Sequence, residues 1–200
     1  MRVEIIFQKI YESDEEVRIR IAQVMCKSLT YTAKSTLLYM LNDKDYLVRV
    51  NACDSLAVFI DDEVLFKLLD VANGDPDNMV RCYAILAVRD ISKHLDIKCK
   101  LKALKQLEYI LANENDCEIR IAANSGIYIL GNKSKLMCIL SELSNNDYTI
   151  RCFVINVLVD ISNSQNKDII LTKLKELNKT EKTVAVNSTL EYAIKHIEEK

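Results

Sequence analysis

One phrase recurs along the whole chain. It reads Asp14-x-x-Val17-Arg18, Asp45-x-x-Val48-Arg49, Asp77-x-x-Val80-Arg81, Asp116-x-x-Ile119-Arg120 and Asp147-x-x-Ile150-Arg151. A degraded sixth copy is read at Glu181-x-x-Val184-Ala185. Counted from Val17, successive copies lie 31, 32, 39, 31 and 34 residues apart. A period of this length marks a repeat architecture, in which one supersecondary unit stacks on the next. Six units fill the 200 residues and leave no length for a separate catalytic domain. The expected units are 1-30, 31-61, 62-94, 95-132, 133-164 and 165-200, all within a single domain, 1-200.

The content of one unit follows from local chemistry. In the second unit, Leu37, Leu38 and Leu41 fall at helical spacing and predict a first helix from about Ser35 to Leu41. Asn42 follows, and Asn recurs at Asn73, Asn113, Asn145 and Asn178, each after an apolar helical stretch. Asn tolerates the left-handed conformation that ends helices, so these residues are expected to terminate first helices that way. Gly74-Asp75-Pro76 reinforces the turn in the third unit. Asp45 then caps the second helix, since its carboxylate accepts bonds from free N–H groups at the positive helix end. Arg49, four residues on, is expected to face Asp45 on the helix surface.

Val48, Ala52, Ser55, Leu56 and Phe59 form one apolar stripe. Val80, Ala84, Ala87, Val88 and Ile91 repeat it in the third unit, and Ile150, Val154, Val157, Leu158 and Ile161 in the fifth. Each unit therefore reads as a helical hairpin with apolar surface left on both sides, which stacking in a solenoid would bury. The first unit adds an opening helix with Val3, Ile6, Phe7 and Ile10 on one face.

The pattern resembles the HEAT repeat family, and most of all its short bacterial type, the PBS-lyase HEAT-like repeats. The Asp-x-x-(Val/Ile)-Arg phrases carry the resemblance, with the small residues Ala52, Ala84 and Ala123 four places after the Val/Ile. Ile21 and Val154 are larger at that place. The resemblance implies an all-α, right-handed α-α superhelix of about six hairpins. It also implies that Asp14, Arg18, Asp45, Arg49, Asp77, Arg81, Asp116, Arg120, Asp147 and Arg151 form a structural ladder between neighbours. An arginine with a committed carboxylate is a poor phosphate ligand.

Composition narrows the function. Three Gly, one Pro and no Trp argue against a turn-rich β fold. The net charge is −2, with 27 basic and 29 acidic residues interspersed, where a nucleic-acid binder shows a basic excess. Apolar runs are far shorter than the roughly 18 residues of a spanning helix, and the start shows no signal peptide, so the expected setting is the cytoplasm. Seven cysteines without a Cys-x-x-Cys pair read as small packed hydrophobes. His94 and His196 have no partner at ligand spacing. No His-Glu pair of the iron-holding deoxyhypusine hydroxylase type occurs, and no nucleophile motif is present. No catalytic residue, metal or cofactor is expected.

In HEAT arrays the second helices line the concave face, and the resemblance places candidate partner-binding residues there. Three and six positions after the Val/Ile stand Arg20, Asn51, Tyr83, Ala122 and Phe153, then Gln23, Asp54, Leu86, Ser125 and Asn156, with Asp90 and Asp160 one turn on. Tyr83 and Phe153 are the expected anchors, because exposed aromatics dominate interfaces. Arg20, Asn51, Asp54, Asp90, Asn156 and Asp160 supply polar selection. The longest interval carries Lys93, Lys98, Lys100, Lys102 and Lys105, of which Lys98, Lys102 and Lys105 share a helical face. It reads either as a solvated outer face or as a basic patch for an acidic partner.

The function expected is a non-catalytic scaffold that binds a protein or peptide, with oligomeric state left open. Three alternatives stand: an accessory protein like the HEAT-repeat bilin lyases, a purely structural subunit whose exposed stripe binds a copy of itself, and a nucleic-acid binder like the HEAT-like alkylpurine glycosylases. Those glycosylases use a basic, Trp-rich groove that this chain lacks.

Overall fold

The structure, a computed structural model, describes residues 14–199. Val3, Ile6, Phe7 and Ile10 lie outside the described residues. Eleven α-helices occur among them, with one short 3-10 turn at Glu142–Ser144 and no strand. They are α1 (Glu15–Met25), α2 (Tyr31–Met40), α3 (Tyr46–Leu56), α4 (Asp62–Gly74), α5 (Asn78–Ser92), α6 (Ile97–Asn113), α7 (Cys117–Ile129), α8 (Lys135–Ser141), α9 (Tyr148–Ile161), α10 (Lys167–Asn178) and α11 (Val184–Glu198). None is long and apolar enough to cross a membrane. The chain divides into two compact units, Met1–Glu114 and Asn115–Lys200.

Helix starts follow the cap chemistry. Asp45 accepts the Leu47 N–H, Asp77 those of Met79 and Val80, Asp116 that of Ile119, and Asp147 that of Thr149. First helices use the same device: Thr30, Asp61 and Asp96 cap α2, α4 and α6. A cap of this kind is worth about 1 kcal/mol.

In the first unit α3 packs against α1 and α5, so the second helices lie side by side. Helix α4 packs on α5, and α6 packs on both. In the second unit α9 packs against α7 and α11, with α8 and α10 paired to α7 and α11. The apolar stripes form the core: Val48, Ala52, Leu56, Val80, Ala84 and Val88 are fully buried in the first unit, and Val154 and Leu158 in the second. The second unit adds a polar latch. Buried Asn166 donates through Nδ2 to the Tyr128 hydroxyl at 2.8 Å and to the Ile161 carbonyl at 3.0 Å.

Three expectations change. The first helix of the second unit runs Tyr31–Met40, four residues earlier in its start, because Thr30 caps it through the Ala33 N–H. No non-glycine residue has positive φ among the described residues, so Asn42, Asn73, Asn113, Asn145 and Asn178 do not end helices in the left-handed region. Asn73 and Asn113 act through their side chains, donating from Nδ2 to the carbonyls of Leu69 and Tyr109 one turn back. These bonds satisfy last-turn carbonyls without the left-handed backbone. The left-handed stop belongs to Gly131 alone, at φ 125°. There the Gly131 N–H bonds to the Tyr128 carbonyl and the Asn132 N–H to that of Ile127, the double closure that glycine permits after a helix.

The third change is register in the last hairpin. Thr183, not Glu181, stands at the N-cap of α11. Val186 is then the third helical residue, the place of Val48 in α3, and is fully buried, while Val184 is 79% exposed. The sixth phrase is Thr183-x-x-Val186-Asn187, two residues later than the sequence spacing suggested.

Arg18 and its partner Asp43 are both buried, whereas Arg20 meets Glu16 in the open. Arg18→Ala strands a buried carboxylate and is expected to cost about 3–5 kcal/mol in chemical denaturation. Arg20→Ala is expected to cost below about 0.5 kcal/mol, the scale of an exposed i,i+4 pair.

Candidate functional site

The ladder arginines reach forward. Arg18 binds Asp43 through Nε at 2.8 Å and Nη2 at 3.1 Å. Arg49 grips Asp75 in the same two-pronged way, at 2.8 and 2.9 Å. Arg81 pairs with Glu114, and Arg151 with Glu181 at 2.8 and 3.1 Å. The carboxylates expected to face Arg49, Arg81, Arg120 and Arg151, four residues earlier, are turned instead to N–H groups of their own helix starts. That is the geometry an N-cap requires. Asp14 makes no such bond.

Each gripped acid sits two places before the next N-cap, and Asp43, Asp75 and Glu181 also fix that cap. The Asp45 N–H donates to Asp43, the Asp77 N–H to Asp75, and the Thr183 N–H to Glu181, at 2.8–2.9 Å. The arginines reach backward as well: Arg49 Nη1 donates to the Asp43 carbonyl at 2.9 Å and Arg151 Nη1 to that of Asn145 at 2.8 Å. One guanidinium thus joins two consecutive turns.

In the last hairpin Asn187 takes the arginine's place and keeps only the backward bond, to the Glu181 carbonyl at 3.3 Å. The ladder changes at one internal rung. The acid's place before Asp147 is held by Asn145, whose amide donates to Glu142 at 3.0 Å and lies 3.7 Å from the Cys117 sulfur. Arg120 stands exposed on α7.

Asp43, Asp75 and Glu114 were missed by the spacing argument, and Glu181 was read as a cap residue where it is the partner of Arg151. The signal was present: an acid or Asn two before every cap, in Asp43-Lys44-Asp45, Asp75-Pro76-Asp77, Glu114-Asn115-Asp116, Asn145-Asn146-Asp147 and Glu181-Lys182-Thr183.

The second-helix strip lies elsewhere. In the first unit Arg20 and Asp54 are exposed, and Asn51, Tyr83 and Asp90 are half-buried. Gln23 Nε2 donates to Asn51 Oδ1 at 2.9 Å, which brings α1 and α3 together on this face. Asn51 in turn donates to the Leu47 carbonyl. Asp90 receives Arg89 at 3.0 and 2.9 Å, with Lys93 at 3.6 Å. In the second unit Phe153 is half-buried, and Asn156 and Asp160 are exposed. Ala122 and Ser125, expected on the same strip, are fully buried. Almost every residue of α7 from Ile119 to Tyr128 is enclosed, so a small residue there serves packing.

An open depression of about 480 Å³ sits on the ladder side of the first unit, lined by Leu41, Asp43, Arg49, Asp70, Asp75 and Pro76 among others. Its arginine and two of its carboxylates already hold each other or Arg18, which leaves little chemistry for a reactant.

Three thiols, Cys53, Cys99 and Cys117, are held protonated. Burial, with Asp75 close by, pushes the Cys53 thiol well above its ordinary range. Burial and bonds to Asp62 and Asp96 raise Cys99 to about 11, and burial with the neighbouring Glu142 raises Cys117 to about 11. A thiol kept protonated is a poor nucleophile and ligand. No group of three or more His, Cys, Asp or Glu suited to a metal occurs among the described residues.

Helical pairs joined in series by inter-hairpin ion pairs define an all-α repeat protein. Residues 3–89 match the family model for HEAT repeats, and the helical solenoid fold is HEAT-like. No curated protein sequence matches it. The structure of the CpcE–CpcF complex of phycocyanin lyase from Nostoc sp. PCC7120 is similar in fold, with TM-score 0.51 and 15% identity, over 98% of this chain and 95% of that one. The E. coli protein YibA is similar with TM-score 0.54 and 16% identity, over 100% of this chain and 78% of the other. At such identities the likeness is one of fold.

Two measurements check the site chemistry. The Thr183 N–H and the Arg151 guanidinium hold the Glu181 carboxyl at about 2, against 4.5 ordinarily. A depressed carboxyl stabilises the fold above its ordinary value and loses that contribution as pH falls through its folded value. Hydrogen exchange of α9 and α11 amides is therefore expected to accelerate from pH 4.5 down to 2, after correction for intrinsic rates, and to do so less in Glu181→Gln. In native protein at pH 8, iodoacetamide is expected to label exposed Cys138 first. Buried Cys53, Cys82 and Cys99 are expected to label only on unfolding, as mass spectrometry would show.

Proposed function

We propose that this chain is a non-catalytic scaffold that binds a protein or peptide along the exposed edges of its second helices. One observation carries the reading: Arg18, Arg49, Arg81 and Arg151 are engaged within the chain, while the second-helix edge keeps aromatic and polar side chains at the surface. Tyr83 in the first unit and Phe153 in the second are half-buried aromatics on those edges, the kind of group that anchors interfaces. Arg20, Asn51, Asp54 and Asp90 flank the first, and Asn156 and Asp160 the second. The mixed polar and acidic character suits a protein surface and disfavours nucleic acid, whose phosphates need a basic excess. Seven free thiols support a cytoplasmic setting.

A second reading draws on the fold likeness to the phycocyanin lyase complex. In it the chain is one subunit of a two-chain accessory to a lyase. An absorbance shift on mixing with bilin would favour this reading over a plain scaffold.

The test of the main proposal is affinity capture from native extract with wild type, Tyr83→Ala, Phe153→Ala and the double variant. Loss of one abundant prey, by tenfold or more with unchanged circular dichroism, is expected. Equal capture by all four forms would remove the second-helix edge as the binding surface.

A further inference from the structure

Helix α6 exposes three large apolar side chains, more than any other described first helix. It is 17 residues long and fixed to the core by one face, with Cys99, Ala103, Leu107 and Ile110 buried. Residues four apart share a face of a helix. Opposite the core, that spacing yields Ile97, Leu101, Lys105 and Tyr109. Ile97 is 70% exposed, Leu101 58% and Tyr109 61%. An outer helix face is ordinarily polar. Single exposed apolar residues need no explanation, but an aligned row of them does.

The charge beside this row is predominantly basic. Lys98 and Lys105 are exposed, and neither is in a salt bridge among the described residues. Lys100 is half-buried nearby. Lys102, which the sequence grouped with Lys98 and Lys105, turns away and sits over the Phe66 ring at 3.6 Å. Glu108 is the one acid on the exposed face within the helix, and Asp96 is held at the N-cap by the Cys99 N–H.

We infer that the exposed face of α6 docks an acidic amphipathic segment of another protein. Its aliphatic side chains would cover Ile97 and Leu101, and its carboxylates would meet Lys98 and Lys105. From Ile97 to Tyr109 the ridge runs about 18 Å along the axis. That length matches three turns of a partner helix or about five to six residues of extended chain. Sign complementarity selects the partner, since a basic row repels a basic segment and gives a neutral one nothing to pair with. An anionic bilayer fits less well: recognition of that kind uses clusters of about four to eight basic residues, and α6 cannot sink into lipid with its other face held in the core. This surface is formed by a first helix and does not rest on the second-helix reading above.

The test places a photo-crosslinking amino acid at position 101 of the full chain in its native cells. Mass spectrometry then identifies the segment attached. Expected is a protein segment of net negative charge, with the adduct reduced at least tenfold by Lys98→Glu/Lys105→Glu and unchanged circular dichroism. That double variant is expected to fold, since both positions are exposed and an acid near a helix N-terminus is favourable. Attachment to a neutral or basic segment, to a second copy of the chain or to no protein would overturn the inference. So would an adduct indifferent to the double variant, or flotation of the chain with phosphatidylserine vesicles in a Lys98- and Lys105-dependent way. A crosslinker at position 83, run in parallel, reports on the second-helix edge independently.

Discussion

The bond on which the architecture turns is the one from an arginine to the acid of the following hairpin. Arg49 illustrates its economy. Its guanidinium holds Asp75 with two parallel bonds and the Asp43 carbonyl with a third. Asp75 meanwhile receives the Asp77 N–H, and Asp77 caps α5. A single side chain therefore couples the turn of one hairpin to the helix start of the next. Planar bidentate geometry is what arginine offers and lysine does not. The same chain of bonds runs from Arg151 through Glu181 to the start of α11.

That commitment shapes which surfaces are left for function. Guanidinium groups that already hold carboxylates do not recruit phosphates. The apolar stripes are consumed within each unit. What remains exposed comes in two kinds: the polar and aromatic edges of the second helices, and the outward faces of the first helices. Among the latter, α4 presents charge, with Glu63 and Lys67 exposed. Helix α6 departs from this by carrying Ile97, Leu101 and Tyr109 outward. The two surfaces sit on different helices of the repeat, so one side chain can change without disturbing the other.

Much of the fold was legible in the sequence because its determinants are local. Asp45, Asp77, Asp116 and Asp147 cap the helices they precede, and the Val48 and Val80 stripes are buried as their spacing requires. What failed was non-local or depended on a choice between two equal local options. Arg49 has an acid four residues back and another twenty-six ahead, and only the packed neighbour decides between them. Asn73 offered a left-handed backbone or a side-chain bond to Leu69, and took the second. The candidate strip was half legible. Helical spacing found Asn51, Asp54 and Tyr83 at the surface, but nothing local announced that Ala122 and Ser125 would be enclosed. The exposed apolar row of α6 was hidden behind its lysines, which drew attention to charge alone.

The ladder also answers a problem that hydrophobic stacking leaves unsolved. Stripes of Val, Ala, Leu and Ile are nearly interchangeable, so a hairpin slipped by one turn would still bury most of its apolar surface. Aliphatic packing is non-directional, and it cannot by itself exclude that slip. The ion pairs can. In a slipped stack Arg18 would meet no carboxylate, and Asp43 would remain enclosed with its charge unmatched. Breaking a buried pair in this way costs about 3–5 kcal/mol, even though an intact pair adds little net stability over an apolar replacement. The penalty falls on the wrong register alone. The last hairpin shows the same logic in reduced form: Asn187 keeps the short bond that orders its own turn and lacks the reach to specify a further one. The repeated phrase thus supplies direction that the aliphatic stripes lack.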